Sequence, residues 1–219
     1  MIQLDLAFYI DHTNLDPAAT TDDIFRLCDE ASEWNFVSVC VNPCYVALAS
    51  ERLKGKGVKV CSVVGFPLGA NTMSSKAYEA ERAYKDGAAE IDMVMNISYA
   101  KNGSYDLLRE DIAGVVRAVP VCKVKVILET CLLEDDEIIK ACNEAARAGA
   151  HFVKTSTGFS SGGATIRHVE LIRSCLPPSI GVKASGGIRD RESAEAMIAA
   201  GANRLGTSRS VSICKTISE

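Results

Sequence analysis

Short runs of apolar and β-branched residues alternate along the chain with longer segments whose apolar side chains recur every third or fourth position. The runs are FVSVCV (36–41), VKVCSVV (58–64), EIDMVMN (90–96), KVKVILET (123–130), HFVKTS (151–156) and GVKASG (181–186). Their near-continuous hydrophobicity predicts strands buried on both faces. Between them Ile24, Leu27, Cys28 and Ala31 fall at i, i+3, i+4 and i+7, the spacing of one helical face. Similar stripes run through Leu108, Ile112, Val115 and Val116, through Ile138, Ala141, Cys142 and Ala145, and through Ala194, Met197, Ile198 and Gly201.

The punctuation between these segments agrees with the periodicity. Glu134-Asp135-Asp136-Glu137 places carboxylates where the positive end of a helix dipole favours them. Asp190 is a candidate N-cap. Three helices are predicted to end at Gly87-Ala88, Gly149-Ala150 and Gly201-Ala202, where glycine can adopt the left-handed conformation before the next strand. This helix–Gly-Ala–strand unit is a weak internal repeat, and its natural product is a parallel sheet. With RLGTS (204–208) and IDHT (10–13) the strands number eight, which predicts an α/β fold of the (β/α)8 TIM-barrel type. A doubly wound sheet is the alternative architecture. No linker or shift of composition divides residues 1–219, so the chain reads as a single barrel domain.

Composition narrows the function. A net charge of −4 and a sequence pI of about 5.5 argue against a broad nucleic-acid or acidic-membrane surface. No uncharged apolar run is long enough to span a bilayer, and MIQLDLAFYIDHT lacks the basic start of a signal peptide. The nine cysteines are scattered without a CxxC motif, which suits reduced thiols in a cytoplasmic protein. No spacing suggests a metal site, and His12 and His168 read as structural or exposed residues. Cys40 reads as a core thiol, with a position facing the pocket as the alternative.

Catalytic groups of such barrels project from the C-terminal ends of the strands. Those ends carry Asp11, Thr13, Asn42, Asp92, Asn96, Glu129, Thr130, Lys154, Lys183, Ser185 and Thr207-Ser208. Strand alternation sets Lys154 on one face with Phe152 and Ser156, and Lys183 with Gly181 and Ser185. If the two strands are neighbours, the two amines meet. Two unit charges about 5 Å apart at an effective dielectric of about 20 repel by roughly 3 kcal/mol, enough to favour a neutral amine. A neutral lysine attacks carbonyls and forms a Schiff base. Asp92 offers a carboxylate for proton transfer. The bland reading is an ion pair of Lys183 with Asp92, and Lys125 is a further possible partner. Two glycine-bearing loops, ASGGIRD (184–190) and LGTSRS (205–210), follow adjacent strands at the recurrent phosphate site of this barrel class. Gly162-Gly163 is either a flexible loop or part of the same cradle.

FVKTSTGF, EIDMVMN, VKASGGIR and VVGFPLGANT occur together and in order, and they resemble the class I, Schiff-base-forming deoxyribose-phosphate aldolase family from about Asp11 to Ser208. The resemblance implies reversible cleavage of 2-deoxy-D-ribose 5-phosphate to D-glyceraldehyde 3-phosphate and acetaldehyde, without metal or other cofactor. It implies Lys154 as the Schiff-base lysine, Lys183 as its cationic neighbour and Asp92 in proton transfer. Asp11, Thr13, Thr157, Gly186, Gly187 and Ser208 are implied at the substrate and phosphate. It also implies a homo-oligomer, dimer or tetramer, with a small phosphorylated aldehyde or sugar as partner and neither nucleic acid nor membrane. Two features depart from the family. Arg209 stands where a small residue is usual, and strengthens phosphate binding if it points inward. The tail CKTISE lacks the terminal tyrosine of some relatives. Competing readings are a phosphate-binding barrel isomerase or synthase with Lys154 as acid/base, and a non-catalytic sugar-phosphate-binding protein.

Overall fold

The structure is a computed structural model that describes residues 5–215. Eight parallel strands close into a barrel in sequence order: β1 (Ile10–Asn14), β2 (Ser38–Val41), β3 (Lys59–Val64), β4 (Glu90–Val94), β5 (Lys123–Ile127), β6 (Phe152–Lys154), β7 (Gly181–Ser185) and β8 (Arg204–Thr207), with β8 pairing back to β1. The main helices of the outer layer are α1 (Thr21–Glu33), α2 (Val46–Arg52), α3 (Met73–Lys85), α4 (Ile97–Lys101), α5 (Tyr105–Ala118), α6 (Asp135–Arg147), α7 (Ile166–Cys175), α8 (Arg191–Ala199) and α9 (Ser210–Cys214). The doubly wound alternative is thereby excluded.

The predicted stripes face the strands. Ile24, Leu27, Cys28 and Ala31 of α1 are buried, as are Leu108, Ile112 and Val115 of α5 and Ile138, Ala141, Cys142 and Ala145 of α6. Asp190 caps α8 by accepting from the Ser193 amide, and Glu134 caps α6 in a capping box with Glu137. Gly87, Gly149 and Gly201 all have positive φ, so Gly201 terminates α8 and does not extend its stripe.

Periodicity missed α3. Its buried positions are Lys76, Ala80 and Ala83, and a lysine breaks the apolar stripe. The charge is matched across the helix layer, where Lys76 Nζ lies 2.6 Å from Asp111 Oδ2 of α5. The strands are also shorter than their hydrophobic runs. HFVKTS contributes only Phe152–Lys154, although the Thr155 amide still donates to the Lys183 carbonyl of β7 at 3.0 Å.

Register determines what fills the barrel. Asp92 pairs with Lys125, Lys154 with Lys183, and Lys183 with Arg204. Each is buried, so charged side chains occupy positions where aliphatic layers are usual. The apolar core lies mainly between strands and helices, with a smaller cluster of Leu15, Cys40, Cys61 and Val63 beside the charged interior.

Candidate active site

Seven side chains from six strands form one buried ionic network. Asp92 Oδ2 accepts from Lys154 Nζ and from Lys183 Nζ, each at 2.8 Å. Its Oδ1 accepts from Lys125 Nζ at 2.7 Å and from Cys61 Sγ at 3.1 Å. Asp11 accepts from Lys183 at 2.5 Å, from Arg204 at 2.6 Å and from the Ser38 hydroxyl at 2.7 Å. Glu90 closes the network, 2.7 Å from Lys125 and 3.3 Å from Arg204.

For Asp11, Asp92, Lys125, Lys183 and Arg204, burial disfavours the charged form and opposite charge outweighs it. Burial raises Asp92, but Lys125, Lys154 and Lys183 hold its carboxyl well below the usual range. Burial likewise opposes ionisation of Asp11, and Lys183, Lys125 and Arg204 hold it below the usual range too. Lys183 is pulled down by burial and pushed further up by Asp11 and Asp92, so it stays an ammonium. Lys125 is raised well above the usual lysine range, mainly by Asp92 against the cost of burial.

The expected meeting of the two lysines therefore occurs with a carboxylate between them. Because both amines contact the same oxygen at 2.8 Å, they are no more than about 5.6 Å apart. The ion pair of Lys183 with Asp92 and the convergence of Lys154 on Lys183 had been alternatives; the structure contains both.

Above the network a cavity of about 1200 Å³ opens at the C-terminal mouth of the barrel. Lys154, 3% exposed, is the only amine of the network among its lining residues. Thr13, Thr157, Gly186, Gly187, Ser208 and Arg209 also line it. Asp11 is corrected: it is fully buried beneath the cavity floor, where it holds Lys183 and Arg204 and has no surface to offer a substrate.

Local backbone explains the shape of the mouth. Gly186 and Gly187 adopt φ of +87° and +82°, which turns the chain after β7 around the cavity edge. Gly163 packs beneath that turn, where an added Cβ would lie 2.3 Å from the Gly186 carbonyl oxygen. The Ala164 amide donates to the carbonyls of Ser185 and Gly186, at 3.1 and 3.0 Å. Gly162-Gly163 thus supports the glycine turn from below and does not line the cavity. Glu129, two residues past β5, has a left-handed φ of 58°, and its carboxylate accepts from the amide and hydroxyl of Thr157. That contact draws the segment after Lys154 over the site. Phe159, further along it, meets Phe66 edge-on with ring centres 5.2 Å apart.

Sequence reading missed Glu90, Arg204 and Cys61, whereas Glu129 was among the polar strand ends it marked. The two-residue period of EIDMVMN was the available signal for Glu90, since it shares the inward face with Asp92. His12, expected to be structural or exposed, is buried and lines the cavity. His168 is half-buried on α7. Cys40 is a fully buried thiol that pairs in register with Cys61 and does not line the cavity. Cys40, Cys61 and Asp92 place ligand-type atoms within 4.8 Å of one another, but both Asp92 oxygens already accept from cations. The last four residues, which include most of the tail, lie outside the described residues.

A family model described as DeoC/LacD family aldolase matches residues 6–211. The chain belongs to this family. A deoxyribose-phosphate aldolase of Clostridium novyi is 55% identical over 211 residues, covering 96% of this chain and 95% of the relative. One from Caldanaerobacter subterraneus is 57% identical over 213 residues, covering 96% and 92%. Among solved structures, an aldolase designated QR15 superposes with a TM-score of 0.93 at 46% identity, covering 97% of this chain and 95% of that one. The tetrameric deoxyribose phosphate aldolase of Aeropyrum pernix gives a TM-score of 0.90 at 38% identity, covering 95% and 89%.

Proposed function

We propose that the protein is a deoxyribose-phosphate aldolase acting through a Schiff base on Lys154. One observation carries the assignment of the nucleophile. In the buried network Lys154 alone combines contact with the cavity and contact with Asp92. Formal charge supports the same choice. Lys125, Lys154, Lys183 and Arg204 face Asp11, Glu90 and Asp92, one more cation than carboxylate. The network balances when one amine is neutral, and Lys154 is the amine a substrate can reach.

The neutral Lys154 amine attacks the C1 aldehyde of 2-deoxy-D-ribose 5-phosphate, and loss of water leaves a protonated imine. Removal of the C3 hydroxyl proton then breaks the C2–C3 bond. Its electron pair flows into the imine, which yields an enamine and releases D-glyceraldehyde 3-phosphate. Protonation of the enamine carbon and hydrolysis release acetaldehyde and restore the amine. The electron sink is the protonated imine itself. Asp92 takes part in proton transfer through a water. In the free enzyme its four donors keep it anionic; imine formation changes the Lys154 donor and leaves Oδ2 open to that water. Lys183, fixed as an ammonium, keeps positive charge beside the reacting nitrogen.

Gly186, Gly187 and Ser208 receive the phosphate, with Thr13 and Thr157 at the sugar. Arg209 adds a guanidinium at the same rim, and among the described residues it has no carboxylate partner. The protein assembles as a homo-oligomer, as its tetrameric relative does. Nine free cysteines suit the reducing cytoplasm, and no helix among the described residues is long and apolar enough to cross a membrane.

Borohydride reduction in the presence of acetaldehyde tests the assignment. The expected product is a single covalent adduct that peptide mapping places on Lys154 and that Lys154→Met abolishes. An adduct elsewhere, or none, would overturn it.

A further inference from the structure

His12 takes no part in the chemistry above, yet it is 4% exposed and faces the cavity from β1. Its Nε2 lies 2.8 Å from Glu30 Oε2 on α1. Its Nδ1 lies 2.8 Å from Ser210 Oγ, the first residue of α9. The Ser210 hydroxyl also lies within hydrogen-bond reach of the Thr207 carbonyl, at 3.1 Å. The Thr207 hydroxyl donates to the Ile188 carbonyl at 2.8 Å and accepts from the Arg209 amide at 3.0 Å. A continuous chain of hydrogen bonds thus runs from α1 through β1 to the turn after β8, and across to the loop after β7.

What this chain encloses is informative. Ser208 and Arg209 are the two residues between Thr207 and Ser210, and Ile188 directly follows Gly186-Gly187. Both ends of one cavity-lining turn and the far end of the other are therefore tied to one imidazole. The protonation pattern is also constrained. A carboxylate at Nε2 requires the ring proton there, so the neutral ring offers Nδ1 as an acceptor, and the single Ser210 proton is shared between Nδ1 at 2.8 Å and the Thr207 carbonyl at 3.1 Å. Burial holds His12 below its usual range against the pull of Glu30, which agrees with the neutral form.

We propose that His12 and Ser210 form a positioning pair for the phosphate half of the site. The imidazole holds Ser210, and through it the Ser208–Arg209 turn, in the conformation that receives the substrate phosphate. This rests on the aldolase reading. The pair touches no reacting atom, so its effect falls on binding of the phosphate and not on the carbon–carbon bond.

The two ring nitrogens can be tested separately. Asparagine at position 12 keeps a polar atom near the place of Nδ1, whereas glutamine keeps one near the place of Nε2. Steady-state kinetics on 2-deoxyribose 5-phosphate and on 2-deoxyribose are compared for His12→Asn, His12→Gln and Ser210→Ala, with thermal melts to confirm folding. Loss of the Ser210 contact in His12→Gln and Ser210→Ala should raise KM for the phosphorylated sugar about tenfold, the worth of one net hydrogen bond, with kcat nearly unchanged. The same two variants should handle 2-deoxyribose, which brings no phosphate, much as wild type does. His12→Asn should restore most of the lost affinity. Equal losses on both sugars, a fall in kcat, or His12→Asn as impaired as His12→Gln would overturn the pairing while leaving the aldolase assignment standing. A wild-type enzyme that turns over neither sugar would defeat the aldolase reading and this proposal with it.

Discussion

Lys183→Met removes one ammonium from the buried network and keeps an unbranched side chain of similar length. The amines of Lys154 and Lys183 are at most about 5.6 Å apart, because both contact Asp92 Oδ2 at 2.8 Å. At an effective dielectric of about 20, charges at that distance repel by about 3 kcal/mol, roughly a hundredfold in the fraction of free amine. Removing Lys183 also leaves Asp92 with one fewer cation to share, which strengthens its hold on a protonated Lys154. Both effects act in one direction. The rate of borohydride trapping with acetaldehyde at neutral pH should fall about a hundredfold. Loss of one member of a buried pair costs about 3–5 kcal/mol, so trapping is run at 25 °C with the fold verified by circular dichroism. Asp11 keeps Arg204 at 2.6 Å and Ser38 at 2.7 Å, which limits the damage. A folded variant whose trapping rate falls less than about fivefold would refute the charge argument.

Three further predictions use other parts of the molecule. Gly163→Ala should raise KM for the phosphorylated sugar more than it lowers kcat, because its Cβ would come within 2.3 Å of the Gly186 carbonyl and displace the glycine turn; unchanged kinetics would count against that support role. Lys76→Met should cost about 3–5 kcal/mol in urea unfolding by stranding Asp111, while Lys76→Met combined with Asp111→Leu should recover most of it, and a double variant no better than the single would contradict this account. Asp11 and Asp92 are held below their unfolded values, so their stabilisation is full above about pH 4 and disappears as pH falls through the folded values; melting temperature should drop steeply below about pH 4, and a flat profile there would exclude this linkage.

The legible parts of the sequence were those governed by local rules. Strand runs, helix stripes, the Asp190 cap and the Gly-Ala terminators each follow from burial period or backbone preference within a few residues. Their order implies a parallel sheet, and their number a barrel. Strand alternation also placed Lys154 and Lys183 correctly on inward faces, because a period of two needs no knowledge of the neighbouring strand. The stripe of α3 escaped notice for the opposite reason, although Gly87-Ala88 marked where the helix ends. Lys76 sits where an apolar residue belongs, and only its distant partner Asp111 makes that position tolerable.

Tertiary structure decided who meets whom. Closure of β8 on β1 brings Asp11 to Arg204 and Lys183 across nearly the whole chain length, a contact no local pattern encodes. It moved Asp11 from the expected substrate contacts to the foundations of the network. It also put Asp92 between the two lysines, which turned an expected repulsive pair into a balanced array with one reachable amine. The sequence by itself determined the residues and the faces they occupy, since side-chain period and hydrophobicity act locally. The folded barrel alone determined their charge states, because Coulomb energies at low dielectric depend on distances between residues far apart in the chain.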